Sequence, residues 1–245
     1  METQIENRSA TENQSSLLFN IGEFFMVFLP PFLIISIMSS WVGENPIRSM
    51  GVVWVGNIMM LLMIWAGLKL RGESWADFGL TFKPISFKRG LNVVGLSLLV
   101  SALGGAAFIV GGMLMANVSG VPESADLSIY DYLKDNLGMF LLSLTGVYIV
   151  SSFGEEIVYR AFLINRIAQL TAGSKHATTI AVILSSVIFG LVHYAWGPMG
   201  MIQTGFMGLV MGICYIKLKK RLWILILAHA YLDTILIVQM YLAGN

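Results

Sequence analysis

The stretch LGMFLLSLTGVYIVSSFGEEIVYRAFL, residues 137–163, decides how the chain is read. It is longer than the roughly 20 apolar residues that carry a helix across a bilayer, yet Glu155, Glu156 and Arg160 lie within it. An ionised side chain at the bilayer centre costs about 3 kcal/mol. Such a cluster points to a membrane helix that builds a polar site.

The rest of the sequence agrees. Hydrophobic residues make up 56% and charged residues 12% of 245 residues, against about 25% charged in average soluble proteins. That composition is too apolar for a water-facing surface. The fold class expected is all-α, a polytopic membrane protein of about seven transmembrane helices. The apolar stretches are 21–42, 51–68, 91–115, 137–163, 177–194, 199–216 and 222–242, and the last four of them build the site. Pro30 and Pro31 in the first stretch predict a kink, and Glu23 near its start is placed to reach the interface. Residues 1–16 read as a disordered polar tail, 17–136 as N-terminal membrane helices and 137–242 as a catalytic helical core. The tail has Glu2, Glu6 and Glu12 against Arg8, so no basic region precedes an apolar one and a cleaved signal peptide is not expected.

A net charge of +1 provides no basic face for phosphates, which excludes a nucleic-acid partner. The single Cys214 excludes an intrachain disulfide and a multi-cysteine zinc site. With the N-terminus inside, twelve of the fifteen Lys and Arg residues fall on the cytoplasmic side: Arg8, Lys69, Arg71, Lys83, Lys88, Arg89, Arg166, Lys175, Lys217, Lys219, Lys220 and Arg221. Basic loops are retained in the cytoplasm. The expectation is therefore a bacterial inner membrane with the N-terminus cytoplasmic and the C-terminus external. Glu123, Asp126, Asp131 and Asp135 then sit in an external loop. Residues 69–90 mix Trp75, Phe78, Phe82 and Phe87 with basic residues, a pattern suited to lying along the inner interface. The small residues Ser101, Ala102, Gly104, Gly105, Ala106, Ala107, Gly111 and Gly112 predict close helix packing.

The chemistry concentrates in three groups. Glu156 and Arg160 are four apart with the acid first, the favoured order for a helical ion pair. Glu155 is rotated about 100° from Glu156 on an α-helix, so it is free to face a cavity as a general base. His193 follows a hairpin turn at 171–175, and a turn centred on Ser174 brings it to the depth of Glu155; Phe189, one turn earlier, walls the site. His229 and Asp233, four apart on the last stretch, leave one helix face. There Asp233 either orients the imidazole as an anion or, if protonated, donates a hydrogen bond itself.

Taken in order, Glu-Glu-x-x-x-Arg (Glu155, Glu156, Arg160), Phe-x-x-x-His (Phe189, His193) and His-x-x-x-Asp (His229, Asp233) resemble the CPBP family. This family comprises the type II CAAX prenyl endopeptidases and the bacterial Abi or bacteriocin-processing proteins. The resemblance covers about residues 137–242 and implies an intramembrane glutamate protease. By position, it implies that Glu155 and His193 activate water, that His229 and Asp233 stabilise the oxyanion, and that Glu156 and Arg160 support the site. Asp233 departs from the Asn of the eukaryotic prenyl proteases, and the donor reading of Asp233 is the one the resemblance favours. The implied substrate is a peptide or membrane-protein segment.

No cofactor is favoured. The alternatives are a divalent zinc held by Glu155, His193, His229 and Asp233, a transporter or proton relay using the same buried groups, and an immunity protein retaining the fold. No Gly-x-Ser-x-Gly or His-Glu-x-x-His motif is present, which disfavours the serine-hydrolase and classical zinc routes.

Overall fold

A computed structural model describes residues 2–43, 45–119 and 128–243, and every regular element among them is helical. The elements are α1 (Glu2–Val42), α2 (Pro46–Arg71), α3 (Phe87–Ser119), α4 (Leu137–Gly146), a π-helix (Val147–Leu163), α5 (Ile164–Leu170), α6 (Ala177–Leu191), α7 (Gly197–Lys217) and α8 (Leu222–Leu242). Short 3₁₀ turns stand at Trp75–Phe78, Ser128–Leu133 and Tyr194–Trp196. Among the described residues six helical stretches are long and apolar enough to span a membrane, with the shorter apolar α6 beside them. The seven expected stretches are thus recovered as six spans and one shorter helix, in an integral membrane protein.

Several local expectations change. The helical backbone begins at Glu2, so residues 2–16 extend α1 where their polarity suggests a disordered tail. α1 runs on through Pro30 and Pro31. Glu23 does not reach outward: it is 4% exposed, with Arg71 Nη2 at 2.6 Å and Arg166 Nε at 2.9 Å from its Oε2. Arg166 is likewise no loop residue but is 1% exposed on α5, where it also meets Glu73 Oε2 at 2.5 Å. Four charges from separate segments neutralise one another there, which is the condition for burying any of them.

The 69–90 segment divides in two. Phe78 and Leu80 turn into the core, while Phe82, Ile85 and Phe87 stay exposed in the manner of an interfacial anchor. Gly79 makes the inward turn possible. Its φ of +82° is left-handed, and a Cβ there would collide with the Lys220 carbonyl. Tyr215 Oη donates to the Phe78 carbonyl (3.1 Å) and Trp223 Nε1 to that of Thr81 (2.8 Å), so the segment docks on the α7–α8 turn.

α3 packs along α7 and α8, as its small residues predict. Gly104 and Gly105 face Leu232, while Gly111 and Gly112 leave room for Phe206 and Gln203. Of the expected acidic loop, Glu123 and Asp126 lie outside the described residues; Asp131 pairs with Lys134 at 2.7 Å on an exposed surface.

Candidate active site

Glu155, Glu156 and Arg160 sit on the π-helix, whose i→i+5 bonding makes a wider turn than the α-helix assumed for them. The ion pair expected from spacing still forms, with Arg160 Nη1 3.1 Å from Glu156 Oε1, at 1% and 0% side-chain exposure. The Arg160 guanidinium lies over the Phe189 ring, 4.2 Å from its centroid.

α6 returns against the π-helix after the turn at 171–176. Ser185 Oγ donates to the Tyr159 carbonyl (2.6 Å), and the Tyr159 and Phe189 rings meet edge to face at 5.0 Å. Tyr159 follows Glu155 by four residues, and Phe189 precedes His193 by four. These contacts therefore set the depth match expected between Glu155 and His193. His193 itself stands just beyond α6, at the start of the Tyr194–Trp196 turn. Its Nδ1 is 2.7 Å from the Phe189 carbonyl, an oxygen that can only accept. Nδ1 therefore carries a hydrogen, and in the neutral ring Nε2 is the acceptor.

His229 is the hub of the cluster. Its Nδ1 lies 2.8 Å from Glu156 Oε1, and its Nε2 lies 3.9 Å from Glu155 Oε2 and 3.7 Å from Asp233 Oδ1. The residue holding the imidazole is therefore Glu156, already tied to Arg160. Spacing along one helix assigns that task to Asp233, because it shares α8 with His229; the close approach of α8 to the π-helix brings Glu156 nearer. Asp233 is held in turn by Ser152, whose hydroxyl donates to Oδ2 at 2.7 Å. With Ser152 on one oxygen and His229 facing the other, Asp233 is placed for either of the two roles expected of it, orienting the imidazole or donating a hydrogen bond.

Burial separates the inner groups from the outer ones. Glu156, Arg160 and His229 side chains are at most 4% exposed, whereas Glu155 keeps 16% and Asp233 14%. The two partly exposed carboxyls, Glu155 and Asp233, flank His229 Nε2. Among the described residues no group of three or more His, Cys, Asp or Glu is placed to hold a metal ion.

Residues 137–235 match the family model of type II CAAX prenyl endopeptidase, Rce1-like. This segment is similar to an Rce1-like domain. It begins with α4 and runs into α8, so it contains Glu155, Glu156, Arg160, Phe189, His193, His229 and Asp233. By that description the family is one of endopeptidases. Neither the curated proteins nor the solved structures provide a match to the chain. Ser152 lies within the matched segment, three residues before Glu155, and that spacing was the available signal for it. Trp196, whose ring meets that of His193 at 5.0 Å, carried no such signal.

Proposed function

We propose that the protein is an intramembrane endopeptidase in which Glu155 is the general base. The observation that carries this reading is the arrangement at His229, with Nδ1 bound to the buried Glu156 and Nε2 facing the more accessible Glu155. Glu155 takes a proton from water, and the hydroxide oxygen bonds to the scissile carbonyl carbon. His193 Nε2 orients that water as an acceptor. As Glu156 fixes Nδ1–H, the protonated imidazole of His229 directs Nε2–H at the developing oxyanion. Asp233, as an anion held by Ser152, stabilises that imidazolium. Collapse of the tetrahedral intermediate breaks the C–N bond, and Glu155 returns its proton to the leaving amine.

The substrate class is a peptide precursor or membrane-protein segment within reach of the bilayer. Cells expressing wild type and Glu155→Gln at equal levels provide the test, with membrane peptides compared by mass spectrometry. Truncated products that appear with wild type alone support the reading, and identical peptide sets from both sink it. No step passes through a metal, so cleavage by the purified protein is expected to survive exhaustive chelation; loss restored by zinc alone contradicts the mechanism.

A further inference from the structure

Three polar contacts join the π-helix to α8, in antiparallel order. Tyr148 Oη lies 2.8 Å from Thr234 Oγ1, Ser152 Oγ 2.7 Å from Asp233 Oδ2, and Glu156 Oε1 2.8 Å from His229 Nδ1. Residues 148, 152 and 156 recur every four positions, close to one turn of this helix, so all three meet α8. Thr234 gives its own hydrogen to the Ala230 carbonyl at 2.6 Å, and Tyr148 is therefore the donor of the first contact.

The middle contact reaches the site. Tyr148 is 39% exposed and holds a hydroxyl outside the cluster, whereas Ser152 is fully buried and holds a carboxyl that belongs to it. Asp233 shares α8 with His229, yet its Oδ2 is bound to the helix that carries Glu155. An unheld carboxyl turns either oxygen to the imidazole. With Oδ2 taken by Ser152, Oδ1 is the oxygen left 3.7 Å from His229 Nε2. That assignment is the same whether Asp233 orients the imidazole or donates a hydrogen bond, because either role falls to the oxygen that Ser152 leaves free.

We propose that Ser152 is a positioning residue of this site, fixing Asp233 to the helix of Glu155 so that Oδ1 and the general base approach His229 Nε2 together. The proposal rests on the peptidase reading above. Ser152→Ala removes the hydroxyl and adds no atom, while Tyr148→Phe removes the neighbouring contact between the same two helices without touching Asp233. The purified full-length proteins in nanodiscs are assayed with a quenched fluorogenic peptide carrying a farnesylated cysteine three residues from its C-terminus. Ser152→Ala is expected to lower kcat about tenfold with KM unchanged, and Tyr148→Phe to keep the wild-type kcat. In parallel, aspartate labelled with carbon-13 at the side-chain carboxyl is followed by infrared spectroscopy. Asp233 is the only aspartate after residue 136, so a band that moves with position 152 is its own. The band is expected to shift in Ser152→Ala and to stay in Tyr148→Phe. Wild-type kcat in Ser152→Ala, equal falls in both variants, or a band indifferent to Ser152→Ala overturns the proposal. A wild-type protein inert toward the peptide counts against the peptidase reading instead, and the infrared shift then decides whether Ser152 holds Asp233.

Discussion

Glu155 and Glu156 are adjacent, but their surroundings give them different work. Glu156 is fully buried and serves Arg160 and His229 together, while the Glu155 side chain is 16% exposed and faces His229 Nε2 at 3.9 Å. Glu155→Gln is expected to abolish cleavage in a protein that purifies and melts like wild type, because an amide cannot take the proton of water. Glu156→Gln leaves a buried guanidinium without its anion, a change that typically costs about 3–5 kcal/mol. A fall in yield and melting temperature is the expected result, measured by differential scanning fluorimetry in detergent. The reverse pattern contradicts the assignment of the base. Asp233→Asn separates the two roles of that residue. An anion that stabilises His229 loses its charge in this variant, so activity is expected to drop across the whole pH range; near wild-type activity with a weakened high-pH decline supports a donating Asp233 instead.

At the scale of elements, the π-helix and α6 matter most, since they place residues from either side of a hairpin at one depth. α6 lies close to α7 where Gly190 meets Gly205; a Cβ on Gly190 would stand 2.6 Å from the Met201 carbonyl oxygen. That oxygen is backbone and cannot turn aside. Gly190→Ala is therefore expected to lower the melting temperature and, by shifting the nearby Phe189 and His193, to reduce cleavage. Gly173→Ala in the preceding turn, where nothing lies within 4 Å of the added carbon, serves as the control and is expected to change neither. Equal melting temperatures for the two variants contradict the close approach.

Over the whole molecule, buried charges gather in two places. One is the end that holds Glu23, Arg71, Glu73 and Arg166 together with the docked 69–90 segment, and the other is the cluster of Glu156, Arg160 and His229. Arg166→Met removes a cation that serves two carboxylates, and a marked loss of thermal stability is expected. Because replacing a buried pair with apolar side chains is often neutral, the double variant with Glu23→Met is expected to recover part of that loss, and failure to recover any argues against direct coupling. Basic residues crowd the first end, which supports a cytoplasmic placement for it. Reporter fusions after Arg221 and after Asn245 are expected to read cytoplasmic and external respectively; both reversed overturns the topology.

The apolar stretches and the ionisable groups within them were legible in the sequence, because hydrocarbon makes every charge within a long apolar run an exception. Glu155, Glu156, Arg160, His193, His229 and Asp233 stood out on that ground alone, and spacing correctly paired Glu156 with Arg160. Spacing along one helix says nothing of the neighbour facing it. The hold of Glu156 on His229, Ser152 on Asp233 and Arg166 on Glu23 therefore came only from how the helices pack. Tyr130 is the extreme case. A tyrosine in a turn outside the membrane spans carries no compositional signal, and only the folded chain brings its ring to that of Trp196, which in turn meets the His193 ring.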